Sequence, residues 1–330
     1  MQMDLKTVEI KPQRETYAHV AARIGSKPAS RYQEGTLDLQ TTGNPHYRPL
    51  WDPRFDYFDE ARTKIAMKDW YDFKDPRQYY YGSYVMARAK QQENAEASFG
   101  FVESRNLAHA MSDDLKEVAL KLLVPLRHVA WGASMNNDFI AAYGFGTGIT
   151  QPALYAAMDQ LGIAQFITRS ALLFADADRL DTAKSEWMEA DEWQPLRRLV
   201  EDLMVEQDWF ELFVAQNLVL DGLLFPLIYS LIIDDEIALR GGSAFSMTCQ
   251  FQVDWAKEAT RWTDAQIKAA AGESAENAAL VCEWVAKWKP RAVSALLPVA
   301  QIALSDRAEA ALEEVVAEFD RRLAKLGVAA

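Results

Sequence analysis

Asp159-Gln160-Leu161-Gly162-Ile163 and Asp254-Trp255-Ala256-Lys257-Glu258 are the two stretches on which the fold is decided. A four-helix bundle that holds two metal ions through carboxylates takes a Glu from each of two helices and a Glu-x-x-His from each of the other two, because residues three apart share a helix face. Gln160 and Trp255 stand where the paired glutamates belong, and Ile163 and Glu258 stand where the histidines belong. The pattern is that of a helical bundle keeping a metal-site scaffold without its ligands. Two such segments also suggest a two-helix unit used twice.

Composition fits a large helical protein. The chain has 330 residues, half of them hydrophobic, with only 15 Gly and 12 Pro, so repeated tight turns and an all-β architecture are not expected. Ten Trp suggest aromatic surface destined for a partner. A net charge of −13 argues against nucleic acid or an anionic membrane as partner, since both are met by clustered Lys and Arg. Cys249 and Cys282 lack metal-type spacing and are expected as buried free thiols in a reducing cytoplasm. The opening MQMDLKTVEIKPQRE has no apolar core of a leader, and a cytoplasmic location is expected.

Residues 1–75 lack helical periodicity and are aromatic, with punctuation such as His46-Tyr47-Arg48-Pro49-Leu50-Trp51-Asp52-Pro53. They are expected to form an extended arm across another surface. Residues 76–330 are expected to be helical, with a bundle core over about 76–270 and further helices over 274–330. Ser112 before Asp113 and Asp114, and Thr150 with Pro152 just inside, read as helix starts. Pro125 should kink its helix, Gly241-Gly242 should separate two helices, and Pro290 and Pro298 should break the C-terminal helices before a charged last helix from Arg307 to Lys325. Leu212 to Ile233 is long enough to cross a bilayer, yet it carries Gln216, Asn217, Asp221, Gly222 and Pro226. An ionised Asp near mid-span costs roughly 3 kcal/mol on insertion scales, so a buried central helix is expected instead.

Two regions carry a family resemblance. Lys68-Asp69-Trp70-Tyr71-Asp72-Phe73-Lys74-Asp75-Pro76-Arg77, followed by Tyr84 and Gln91-Gln92-Glu93, is one; the paired segments, with Gln252-Val253-Asp254 leading into the second, are the other. The pair lies 255 − 160 = 95 residues apart, similar to the roughly hundred-residue separation of the two halves of that fold. From Arg31 to about Asp264 the chain resembles the hydroxylase subunits of bacterial multicomponent monooxygenases, most nearly the β subunit of the phenol hydroxylase type, with the toluene monooxygenase β subunit next. The resemblance implies an all-α, ferritin-like (ribonucleotide-reductase-like) helical bundle. It also implies a place in an α2β2γ2 complex with α and γ subunits, an NADH reductase and a small regulatory protein, which together oxygenate an aromatic ring with O2. Carried over one at a time, the active subunit's ligand positions fall at Ala130, Gln160, Ile163, Asp221, Trp255 and Glu258, so that only Asp221 keeps an acid where a single glutamate belongs. No catalytic, cofactor or metal site is expected in this chain, and the di-iron centre is expected in the partner α subunit.

Alternatives stay open from the residues alone. His128, Asp159, Asp221, Asp254 and Glu258 could converge on a single Mn or Fe and make the chain a metal oxidase, or they could pair with Arg or Lys and hydrogen-bond across the bundle. His128 also reads as a hydrogen-bonded core histidine, Asp221 as a helix-to-helix hydrogen bond at a Gly-containing turn, and Trp255 as filling of the former metal cavity. The apolar bundle could hold a small hydrophobic ligand. Tyr79, Tyr80, Tyr81 and Tyr84 are a redox relay or, more simply, core and interface aromatics. Gly144-Phe145-Gly146-Thr147-Gly148 reads as a helix-helix loop, and Gly241-Gly242-Ser243 as a cap.

Overall fold

The computed structural model describes residues 16–25, 27–40 and 52–328, and all regular structure among them is helical. The opening fifteen residues and most of the His46–Pro53 stretch lie outside the described residues. Two short helices, α1 (Ala18–Ile24) and α2 (Arg31–Glu34), precede α3 (Tyr81–Ser104), α4 (Asp113–Leu123), α5 (Leu126–Tyr143), α6 (Thr147–Phe174), α7 (Asp178–Glu189) and α8 (Gln194–Leu203). Then come a long helix α9 (Trp209–Thr248), α10 (Gln250–Glu273), α11 (Ala275–Leu304) and α12 (Ala308–Leu326).

The core is built on α9. It is apolar almost throughout, and α4, α5, α10, α11 and α12 all pack against it. By length and composition it is the one helix among the described residues that passes for a membrane span, yet 89% of its apolar window is buried inside the protein. Asp208 fixes its start, accepting from Phe210 N at 3.0 Å and Glu211 N at 3.1 Å, donors that would otherwise be orphaned. Over Val214–Leu220 and Phe225–Gly242 the helix widens to i→i+5 hydrogen bonding. Gly241, at φ 101°, interrupts it where the sequence places a separation. The hairpin of α5 and α6, joined through Gly144, Phe145 and Gly146, flanks α9 on one side.

Several local expectations are corrected. Pro125 does not kink a helix; it divides α4 from α5. The Ser112 hydroxyl makes no capping bond, although Ser112 does precede α4. Helix α6 begins at Thr147, three residues before Thr150, so Pro152 lies inside it. Pro290 and Pro298 do not break α11, which runs through both. Each proline frees the carbonyl four residues back, and those residues, Ala286 and Ser294, are exposed, where a freed carbonyl costs less than in the core. Asp221 sits mid-helix rather than at a turn. Cys249 is buried, its thiol pushed up to about 12 by burial, and Cys282 is half-buried.

Before α3, a strap from Ile65 to Phe73 enters the bundle's own core, with Ile65 and Phe73 almost fully buried and Trp70 beside Trp209. Three side chains pin its backbone. Asp208 accepts from Lys64 N at 2.8 Å, and Gln266 donates to Lys74 O at 2.9 Å. Asn277 both accepts from Ala66 N at 3.1 Å and donates to Ala66 O at 2.8 Å. Gly148 admits the strap, because a Cβ there would stand 2.4 Å from Phe73 O.

Candidate functional site

Helix α3 presents Tyr84, Arg88 and Gln91 at i, i+4 and i+7, one face of a helix. That face meets Asp159 of α6 and Glu258 of α10. Arg88 grips Asp159 with two parallel bonds, Nε to Oδ1 and Nη2 to Oδ2, both 2.8 Å, and sends Nη1 to Glu258 Oε2 at 2.8 Å. Asp159 further accepts from the Tyr84 hydroxyl at 2.8 Å and from Trp255 Nε1 at 2.9 Å. Glu258 further accepts from Gln91 Nε2 at 2.9 Å and the Tyr79 hydroxyl at 3.1 Å. The Tyr84 ring stacks on Tyr155 at 4.3 Å. Burial opposes the charge of Arg88, but Asp159 and Glu258 hold its pKa above the ordinary value; burial and Asp159 likewise raise that of Tyr84.

This arrangement is chemically closed. Four donors saturate Asp159, and an Arg does not exchange protons in the physiological range. Asp159 and Arg88 therefore offer neither a metal ligand nor a general acid or base, and what the cluster does is tie α3, α6 and α10 together.

One residue along α6, Gln160 faces a second buried network centred on Asp221. Asp221 accepts from Gln216 Nε2 at 2.8 Å and, over a longer 3.4 Å, from Gln160 Nε2. Gln216 Oε1 accepts from Asn136 Nδ2 at 2.8 Å, and Asn217 donates to Asn137 Oδ1 at 3.1 Å. In an ordinary α-helix residues five apart point about 140° away from one another. The widened turn over Val214–Leu220 brings Gln216 round beside Asp221, which gives this rare geometry a local role.

Burial pushes the Asp221 carboxyl up from 3.8 to about 7, against the opposing pull of Gln216 and Arg322. Below 3.8 both folded and unfolded chains keep the proton; as pH rises toward 7 the unfolded chain releases it first, so this group's contribution to stability is lost over that window. Asp221→Asn removes the dependence. The stability of the Asn variant relative to wild type should rise by roughly 4 kcal/mol between pH values of about 4 and 8. Denaturant unfolding of both proteins across that range is the check, and a gap that does not move with pH would rule out a raised carboxyl.

The remaining expected positions do not converge. Ile163 and Ala130 are buried and apolar, and belong to packing. Trp255 is buried against Phe225, ring centroids 4.9 Å apart. Asp254 is exposed and pairs with Lys257 at 3.5 Å. His128 stacks on Trp187, and its Nε2 has no protein hydrogen-bond partner among the described residues, so it is not the hydrogen-bonded histidine expected. Burial, with Arg127 and Lys184, pushes it down to about 4, leaving it neutral. Of the tyrosines, Tyr84 is buried, Tyr79 and Tyr80 are half-buried, and Tyr81 is exposed.

Among the described residues no group of three or more His, Cys, Asp or Glu is placed to hold a metal ion. The residues present do not fit a di-iron centre either: Arg88 takes up Asp159 and Glu258, amides take up Asp221, and neither i+3 position carries an imidazole. Arg88, Asn136, Asn137 and Gln216 were missed by sequence reasoning. Only the amides gave a signal, as polar pairs inside apolar helices.

An all-α, ferritin-like bundle with polar networks buried between its helices defines a class: a subunit built on a hydroxylase scaffold. The chain belongs to the methane/phenol/alkene hydroxylase family, whose match covers residues 51–274. It is similar to the oxygenase component DmpL of phenol 2-monooxygenase from Pseudomonas sp. strain CF600, 46% identical over 99% of this chain and 98% of the relative. The hydroxylase component β subunit of the toluene-4-monooxygenase system of Ectopseudomonas mendocina is 24% identical over 86% of this chain and 88% of the relative. Among solved structures, a xenon-pressurised phenol hydroxylase from Pseudomonas sp. OX1 superposes with a TM-score of 0.92 at 45% identity, covering 98% of both chains. A toluene 4-monooxygenase chain, with a TM-score of 0.74 at 21% identity over 94% of this chain and 100% of that one, shares the fold.

Proposed function

We propose that this chain is a non-catalytic structural subunit, of the β type, in a multicomponent phenol or related aromatic hydroxylase. The observation that carries the reading is Arg88 bridging Asp159 and Glu258, a guanidinium holding together the helices that a metal centre joins in an active relative. Near full-length similarity to a phenol monooxygenase oxygenase component supports the assembly. In that assembly, α2β2γ2 and cytoplasmic, the α subunit would carry di-iron, which supplies O2 chemistry on the aromatic ring with NADH-derived electrons passed from a reductase. This chain would supply rigid scaffold, and the part of its 1–75 arm that precedes the strap buried in its own core would extend the contact with its partners.

Co-expression with the genes that neighbour it, followed by sizing and metal analysis, tests this. All iron in the purified complex should track the partner subunit, and an anomalous map at the iron edge should have no peak in this chain. A peak between Asp221 and Glu258, or failure to co-purify with any hydroxylase subunit, overturns the reading.

A further inference from the structure

Trp131 is the one exposed tryptophan among the described residues; the others are all buried. It stands on the outside of the α5–α6 hairpin with Met135, while Leu154, Met158, Leu161 and Leu172 line the outside of α6. Counting back from the turn at Gly144–Gly146 sets Met135 level with Leu154 and Trp131 level with Met158, so the two rows form one surface. Each of the six side chains is 37–50% exposed, and together they leave on the order of 500 Å² of apolar surface uncovered, as much as the largest patch of an ordinary monomer. Among the exposed positions of both helices only Asp138 carries a charge, whereas α12 turns Glu309, Glu313, Glu314 and Glu318 to solvent.

The spacing specifies what covers this face. Leu154, Met158, Leu161, Gln165, Thr168 and Leu172 follow one another at steps of 4, 3, 4, 3 and 4, by which one helix presents a seam to another. Met158, Leu161, Gly162 and Gln165 are the four corners of a hole that takes a side chain from a facing helix. Gly162 leaves that hole open, because the place of its Cβ has nothing within 4 Å. The occupant must bring an apolar stripe, since a charge set against this seam would be buried without a partner. A lipid surface fits poorly, because the net charge of −13 sets the chain against anionic headgroups.

The seam also runs into the arm. Gln151, three residues before Leu154, accepts from the Thr36 hydroxyl at 3.2 Å and donates to Gly35 O at 3.3 Å. A partner lying along α6 therefore meets the arm as well. The six side chains alone supply more than half of the roughly 800 Å² that each partner contributes to a standard interface.

We propose that the outer face of α5 and α6 docks the catalytic subunit of the hydroxylase, one helix of which lays an apolar seam along α6 with Trp131 as the anchor beside it. The inference rests on the assembly proposed above, which makes the occupant a different chain rather than a second copy of this one.

The test uses full-length chains co-expressed as the hydroxylase. Met158→Lys/Leu161→Lys should weaken assembly about a hundredfold, because two ammonium groups would be buried without partners. Alone, the same variant should melt within about 2 °C of wild type, since both side chains are exposed there. Met158→Leu/Leu161→Met, which keeps the seam apolar, should assemble as wild type does. A p-benzoylphenylalanine placed at position 161 should cross-link to the catalytic subunit on illumination. A cross-link confined to this chain or to a second copy of it overturns the inference, as does a double Lys variant that assembles at wild-type strength. Both of those results leave the assembly itself standing, whereas a wild-type chain that co-purifies with no hydroxylase subunit overturns both.

Discussion

Arg88→Met should destabilise the chain by about 3–5 kcal/mol, the cost of leaving a buried charge without its partner. The Asp159 side chain is only 3% exposed and the Arg88 side chain 12%, so water cannot replace the guanidinium without opening the interface of α3 with α6. The loss should be recovered in large part by Arg88→Met/Asp159→Asn. The double variant removes the Asp159 charge: the amide oxygen still accepts from Trp255 Nε1, and the Tyr84 hydroxyl, which bonds the other oxygen, can accept from the amide NH2 instead. Urea unfolding of the three proteins decides it: a single variant within about 1 kcal/mol of wild type would place the pair among the exposed, weakly contributing ion pairs.

Trp255→Ala should cost a similar 3–5 kcal/mol, for a different reason: it empties the volume of a fully buried large aromatic. It also takes one donor from Asp159. Gln160→Ala should be milder, about 1 kcal/mol, since the bond it loses is a long one. In the assembled hydroxylase neither change should alter turnover normalised to iron, because the losses fall on folding and on the yield of complex. A tenfold fall in normalised turnover in a normally assembled variant, about 1.4 kcal/mol of transition-state stabilisation, would give this chain a part in the chemistry.

Helix content and the central place of the apolar run were legible, because periodicity is a local property of the chain. The family followed from the Lys68–Arg77 signature and the spacing of the paired segments. The Arg88 cluster was not legible. Arg88 lies 71 residues from Asp159 and 170 from Glu258, and no local pattern connects positions so far apart. The convergence of His128 and Asp254 on one site failed for the same reason: both lie on correctly read helices, but on other faces of them. The prolines misled because the reading assigned each its intrinsic cost without knowing that Ala286 and Ser294 face water. Asn136, Asn137 and Gln216 stood in plain view within apolar helices; the two asparagines were passed over, and Gln216 was weighed only as an argument against a membrane.

The double hydrogen bond between Asn277 and Ala66 joins residues 211 positions apart, and this sets an order of events on the ribosome. At about 5–20 residues per second, the strap is synthesised roughly 10–40 s before the residue that fastens it. Gln266, which holds Lys74, arrives almost as late. Through that interval Trp70 and Phe73 have no finished groove to enter, and the nascent chain carries exposed aromatic surface of the kind that recruits chaperones. The last third of the chain thus decides when the first quarter can fold, and a message truncated before codon 266 would yield a strap with neither of these clasps.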